Sequence, residues 1–223
     1  MAASALAFLL LGGLEDDHRR RLLAAASPRR FRRREVVFHE GDPADCLHLV
    51  ASGRFLVRAT TPWGDVATLR LVGPGDSFGE LALIAPDARR SATVVALQPG
   101  HTLVLSRTQF EALRARFPEV DTVLVGMLAD NVRRMSALVV DMSYLSVEER
   151  VARRLVELDG MFGSTIPLTQ DDLAELAGTQ RATANGVLRG LERRGLLALR
   201  RGQITVLDRP ALGRRAGRGL SAP

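Results

Sequence analysis

The 223-residue sequence predicts an α+β fold: an N-terminal antiparallel β jelly roll, one long helix suited to dimerisation, and a C-terminal winged helix-turn-helix. Three observations predict it. From Val36 to Leu105, short apolar or alternating segments are separated by Gly41, Gly53, Gly64, Gly73, Gly75 and Gly100, a punctuation that suits an antiparallel roll rather than an α/β layer. Between Glu119 and Tyr144 there is no proline and a single glycine, Gly126, and apolar residues recur at helical spacing. After Thr169, two short amphipathic segments flank Gly178, and two strand-like segments follow around Arg201-Gly202. These shifts divide the chain at 1–118, 119–145 and 146–223.

Within the first division the expected strands are Glu35–Phe38, Leu47–Val50, Arg54–Ala59, Ala67–Val72, Thr93–Leu97 and Thr102–Leu105. Ser106-Arg107-Thr108-Gln109 then reads as a capping box, in which hydroxyl and amide side chains satisfy the free N–H groups of a helix running to about Arg116. In the long helix, Asp121, Leu128, Met135 and Met142 occupy one heptad position and Leu124, Asn131, Leu138 and Leu145 the other. Six of these eight are apolar, which predicts pairing with a second copy, with Asn131 fixing register. Val123 and Met127 mark a second stripe that would face the chain's own roll.

In the third division Ser146 with Glu149 starts a helix carrying Val151, Leu155, Val156 and Leu158, and residues 160–166 read as a loop. Thr169 with Asp172 caps the next helix, Gly178 ends it, and Thr179 is expected to cap a helix from Gln180 to Arg193 whose apolar face is Ala184, Val187, Leu188 and Leu191. Leu196–Leu199 and Ile204–Leu207 would form a wing with Arg200 and Arg201 at its tip.

Composition narrows the function. Aromatics make up only 4%, too few for a base-stacking platform, so duplex DNA is a better partner than single strands or RNA loops. The net charge is +6 and all 31 basic residues are arginine. Residues 146–223 carry 13 Arg against 9 acidic residues, and residues 1–145 carry 18 against 16, so the excess lies mostly in the smaller C-terminal part, as a phosphate-binding surface requires. The one cysteine, Cys46, rules out a disulfide framework within the chain and a four-cysteine metal site, and fits a cytoplasmic location. Leu6–Leu11 is too short to span a membrane and is followed by Glu15-Asp16-Asp17, so it reads as a docking helix and no membrane association is expected. The four histidines lie at no metal-ligand spacing. Cys46 and His48 would share a strand face as packing residues. No nucleophile–base arrangement or P-loop stands out, so no enzyme activity and no metal site are expected.

The stretch Phe78–Thr93, FGELALIAPDARRSAT, holds the best candidate for a binding site. Glycine lets backbone N–H groups approach a phosphate, a carboxylate can accept from ribose hydroxyls, and a guanidinium can grip phosphate oxygens in bidentate fashion. The order and spacing FGELAL…RSAT resemble the phosphate-binding cassette of cyclic-nucleotide-binding domains in the Crp/Fnr superfamily of transcription regulators. That resemblance implies a cyclic nucleotide held by Gly79, Glu80, Leu81, Arg90, Ser91 and Ala92, with the ribose and cyclic phosphate at Gly79, Glu80, Arg90 and Ser91. In relatives that use cyclic AMP a threonine-serine pair on the long helix recognises the base. The same spacing here falls on Met135-Ser136, and a thioether cannot donate a hydrogen bond to adenine.

The stretch LTQDDLAELAGTQRATANGVLRGLERRGLL followed by RRGQITV resembles the winged helix-turn-helix of the same superfamily, and together the two resemblances run from about residue 14 to 208. They imply DNA contacts from Thr179, Gln180, Arg181, Ala182, Thr183, Asn185, Arg189, Arg200 and Arg201. In the best-known members the positions of Arg181, Ala182 and Gly186 hold a guanine-reading arginine, a glutamate and a second arginine, so two of three base readers differ. Base readout is therefore expected to depart from theirs, with backbone contacts and DNA bending taking a larger share. The expected function is an effector-responsive, sequence-specific DNA-binding regulator. It would act as a homodimer on a pseudo-palindromic site, with cyclic AMP or a relative as effector and RNA polymerase as a candidate partner. The alternatives are a regulator of the same fold that needs no effector or senses haem or another ligand, and a cyclic-nucleotide-binding subunit that does not bind DNA.

Overall fold

The computed structural model describes residues 15–84 and 87–217; the run Leu6–Leu11 lies outside them. The chain forms two compact units that divide between Arg133 and Arg134, inside one continuous helix.

The N-terminal unit opens with α1 (Asp16–Ala25) and continues through β1 (Ser27–Phe31), β2 (Val36–Phe38), β3 (Cys46–Ser52), β4 (Phe55–Thr60), β5 (Val66–Val72), β6 (Ser77–Phe78), β7 (Thr93–Ala96), β8 (Gly100–Ser106) and α2 (Arg107–Arg116). Two four-stranded antiparallel sheets, ordered β1-β8-β3-β6 and β2-β7-β4-β5, make the predicted jelly roll. Between them lie Phe31, Val50, Phe55, Val72, Phe78 and Val94. The tilted and edge-on contacts of Phe55 with Phe31 and Phe78, both at 5.6 Å between centroids, are the arrangements that ring quadrupoles favour.

All six predicted strands are present, within two residues at either end. Two further strands were not predicted. β1 reads Ser-Pro-Arg-Arg-Phe with only Phe31 buried, so it has no alternating signal and is held by its pairing to β8. β6 is two residues long, too short for any periodicity.

The capping box at Ser106 and Gln109 forms as expected and starts α2. The long helix, α3 (Val120–Tyr144), has two apolar stripes. Val120, Val123 and Met127 enter a core with Leu22, Leu47, Leu49, Leu105 and Phe110. The exposed stripe keeps Met135 and Met142 of the predicted heptad seam but replaces its other position with Val125, Val132 and Val139. Of the other heptad position, Leu124 packs against the roll's core and Asn131 bonds to the roll, because that side of the helix is already covered within the chain.

The C-terminal unit contains α4 (Val147–Phe162), β9 (Thr165–Ile166), α5 (Gln170–Leu176), α6 (Arg181–Arg193), β10 (Leu197–Arg200), β11 (Gln203–Val206) and α7 (Arg209–Arg215). Reciprocal capping boxes start α4 at Ser146 and Glu149 and α5 at Thr169 and Asp172. The 160–166 stretch is not all loop. α4 runs on to Phe162, and Thr165–Ile166 pairs with β11 as the third strand of a sheet ordered β10-β11-β9. The cap of α6 is Gln180 rather than Thr179, and it makes no side-chain capping bond.

Candidate effector pocket and nucleic-acid interface

In the N-terminal unit, β6 ends at Gly79, whose φ of 84° lies in the left-handed region that favours glycine. A Cβ there would come 2.7 Å from Arg90 Nη1 and 3.2 Å from the Cys46 carbonyl oxygen, so a side chain at this position would displace the Arg90 guanidinium as well as strain the backbone. A short 3-10 turn, Glu80–Leu83, follows. It buries Ala82 and Leu83 and leaves Leu81 exposed.

Arg90 is 6% exposed. Nη1 donates to the Cys46 carbonyl at 2.8 Å, Nη2 to the Cys46 Sγ at 3.1 Å, and the guanidinium lies over the Phe38 ring at 4.0 Å. Asp45 is 3.5 Å from Nη2, with its carboxylate largely in solvent. Nε is buried and has no partner among the described residues. A buried charged donor without an acceptor is costly, and an anion supplied from solution would remove that cost. Ser91 is exposed beside the buried Ala92.

Glu80 Oε1 accepts from Asn131 Nδ2 at 2.6 Å, which joins the cassette carboxylate to α3. Heptad spacing puts Asn131 in a pairing seam; only the tertiary structure shows it at Glu80, since no motif links positions 51 residues apart. The structure thus brings Gly79 and Arg90 into contact and ties Glu80 to α3. Met135 and Ser136 are exposed residues of α3 in the other unit.

His48 stacks on Phe78 with centroids 4.9 Å apart and planes 8° from parallel, and its Nδ1 lies 3.0 Å from Thr102 Oγ1. Burial, then the nearby Arg90 and Arg29 charges, push its pKa down to about 3. It is a neutral core residue, as the strand alternation suggested. Burial likewise raises the Cys46 thiol, although Arg90 opposes the shift. Among the described residues no three His, Cys, Asp or Glu side chains gather to hold a metal.

In the C-terminal unit, α5 and α6 meet at Gly178, φ 59°. Ala184, Leu188 and Leu191 are buried, which leaves Arg181, Ala182, Thr183, Asn185 and Arg189 exposed on α6, with Gln180 exposed just before it and Thr179 half-buried. Arg181 pairs with Asp171 at 3.0 Å in an exposed ion pair worth at most about 1 kcal/mol, a weak restraint on the guanidinium. Arg189 pairs with Glu192 at 2.8 Å, and Glu192 also accepts the Leu199 N–H at 2.9 Å, joining α6 to the first wing strand. That backbone bond, followed by Arg189, holds the Glu192 carboxyl below its usual range. Arg200 and Arg201 are exposed at the wing tip.

Arg150 is a structural determinant that sequence reasoning missed. From α4 it donates to the carbonyls of Leu145 at 2.8 Å, Ala177 at 2.9 Å and Gly178 at 3.3 Å, closing the end of α3 and the turn between α5 and α6 together. Arg154 adds a bond to the Leu176 carbonyl at 3.1 Å. The only signal in the sequence was arginine on the polar side of an amphipathic helix, which is ordinarily a solvated face.

Residues 28–117 match the family described as cyclic nucleotide-binding domain, and residues 149–215 match the Crp-like helix-turn-helix domain. The CRP-like cAMP-activated global transcriptional regulator of Mycobacterium tuberculosis is 31% identical over 194 residues, covering 83% of this chain and 86% of that protein. The chain belongs to the Crp/Fnr family of transcription regulators. Within the family, the cyclic AMP receptor protein of Thermus thermophilus is 37% identical over 177 residues, 77% of this chain and 80% of its own. The crystal structure of another CRP-family regulator from the same species superposes with a TM-score of 0.74 at 29% identity, over 87% of this chain and all of that one. As a Crp/Fnr member with both domains, this protein is a DNA-binding regulator.

Proposed function

We propose that the protein is a homodimeric regulator whose DNA affinity is set by a cyclic nucleotide bound in the N-terminal unit, with cyclic AMP the first candidate. The observation that carries this reading is Arg90: a buried guanidinium whose Nε has no partner among the described residues, packed so closely on Gly79 that a side chain there would displace it. In this reading its charge and free donor meet the cyclic phosphate together with the Gly79 region and Ser91, and Glu80 accepts from the ribose. The names of the Mycobacterium tuberculosis and Thermus thermophilus relatives support cyclic AMP as the effector. Met135, where cyclic-AMP-dependent relatives carry a hydrogen-bonding threonine, bears on the choice of base.

Coupling would run through the Glu80–Asn131 bond. A ribose hydroxyl that donates to Glu80 competes with the Asn131 amide and so shifts the preferred packing of α3. In this division of labour residues 1–118 bind effector, 119–145 pair two copies, and 146–223 bind DNA. Arg181, with Gln180, Thr183, Asn185 and Arg189, would face the major groove, while Arg200 and Arg201 would meet phosphates.

Calorimetric titration with cyclic AMP and cyclic GMP, paired with gel shifts on a selected pseudo-palindromic site, tests the reading. Cyclic AMP is expected to bind and to tighten DNA binding, and Arg90→Ala to abolish that response while sparing weak, salt-sensitive DNA binding. Equal stimulation of parent and variant would remove Arg90 from the effector site.

A further inference from the structure

A second cluster of cations lies away from the cassette. Five of the six residues from Arg29 to Arg34 are arginine, and the sixth, Phe31, is buried as their anchor. Arg29 turns over the Phe31 ring at 5.0 Å. The other four, with Ser52, His101 and one carboxylate, Glu35, line an open cavity of about 1140 Å³.

The backbone shapes this cavity. Arg30 sits opposite His101, and Phe31 opposite Gly100, in the β1–β8 ladder. Arg32 to Glu35 then make a tight turn closed by the Glu35 N–H to the Arg32 carbonyl at 3.1 Å. The Glu35 carboxylate is occupied by the Arg32 N–H at 2.7 Å. Among the described residues no carboxylate forms an ion pair with Arg30, Arg32, Arg33 or Arg34. At the other wall Gly100 abuts Gly53 so closely that a Cβ on Gly53 would lie 2.7 Å from the Gly100 Cα, which keeps that side free of bulk.

Arg34 is the strongest sign of a binding role. Its φ is 66°, and among the described residues it is the only non-glycine with positive φ. The position would suit glycine, and arginine there costs about 1 kcal/mol in backbone strain. Four guanidiniums set against the single Glu35 carboxylate leave an excess of positive charge and mutual repulsion, which a multivalent anion would reverse.

We propose that this cavity is a second anion site, which takes a short phosphoanhydride chain: inorganic tripolyphosphate or the polyphosphate end of a nucleotide. A chain of phosphoryl groups offers several planes of oxygens for bidentate guanidinium contacts. The concave shape suits a small flexible chain better than the convex surface of a duplex, and the volume exceeds what a single phosphate fills.

The test is calorimetry on the full-length protein with sodium tripolyphosphate and with orthophosphate at matched ionic strength. The site predicts one tripolyphosphate per chain, bound at least tenfold more tightly than orthophosphate. Arg34→Gly should weaken tripolyphosphate about fivefold while raising the thermal midpoint, because it removes a charge and relieves the strained backbone together; a purely structural arginine would not give both. Arg33→Gln is the second variant, expected to weaken binding similarly with cyclic-nucleotide binding unchanged. Adenosine tetraphosphate binding more tightly than tripolyphosphate would name a nucleotide as the source, and equal binding the bare chain; either supports the site. Tripolyphosphate no tighter than orthophosphate would overturn the proposal. So would affinity unchanged in both variants but lost in Arg200→Gln/Arg201→Gln, or a random-sequence duplex outcompeting tripolyphosphate in that same wing variant.

Discussion

At the scale of single residues, Gly79 is held by Arg90 and the Cys46 carbonyl, and His48 by a buried ring stack and Thr102. Gly79→Ala must tolerate left-handed backbone, at about 1–2 kcal/mol, and push Arg90 off its bond to the Cys46 carbonyl. The expected result is a cooperative fold with modest loss of stability in urea and at least tenfold weaker cyclic-nucleotide binding by calorimetry. For His48, the folded pKa of about 3 lies below the ordinary 6.5. The unfolded chain therefore takes up a proton as pH falls through 6.5, while the folded chain stays neutral until about pH 3. Stability is thus greatest above pH 6.5 and is lost on acidification across that window, at up to roughly 1.4 kcal/mol per pH unit. His48→Gln should flatten that part of the stability–pH curve; an unchanged slope between pH 6 and 4 would show that other groups set it.

At the scale of elements, three helix starts were written out in full in the sequence, and most helix ends fell where expected, but the groups that satisfy those ends were not legible. Ser106, Ser146 and Thr169 each form the reciprocal capping box their sequences announce, because the motif is local and complete within four residues. The carbonyl ends are satisfied from elsewhere. Arg150 serves the ends of α3 and α5 and the turn after α5, and no local pattern encodes that. Arg150→Ala should destabilise the C-terminal unit by roughly 2–3 kcal/mol, with bonds to a charged donor at stake. It should also weaken DNA binding while leaving cyclic-nucleotide affinity within twofold of the parent, measured by unfolding, gel shift and calorimetry on the same preparations. Gly186 and Gly190 show the converse. A Cβ at either position meets nothing within 4 Å, so the free protein offers no packing reason for two glycines inside α6.

For the whole molecule, the exposed face of α3 is the surface that bears on assembly. Val125, Val132, Met135 and Val139 are each more than 60% exposed along one helix face, more apolar surface than isolated exposed residues account for. Pairing of two copies through this face is the expected outcome, and Val132→Glu/Val139→Glu should yield a monomer by sedimentation at micromolar concentration. Because a dimer engages two half-sites at once, the monomer should bind its operator at least a hundredfold more weakly. A dimer that persists in this variant would move the interface elsewhere.

The sequence by itself determined the order of the parts. Glycine-punctuated strands, capping boxes and the cassette and helix-turn-helix motifs all depend on neighbours a few residues apart, so a linear reading reaches them. It could also name Gly79, Glu80 and Arg90, since their spacing is short. Tertiary structure alone decided what those residues touch. The stacking of Arg90 on Phe38, the Glu80–Asn131 bond, the shift of the α3 stripe and the gathering of Arg30, Arg32, Arg33, Arg34 and His101 about one cavity join positions 51 to 71 residues apart, or follow from which helix side the roll already covers. Such contacts are set by packing and pairing across the fold, where no sequence period carries the information.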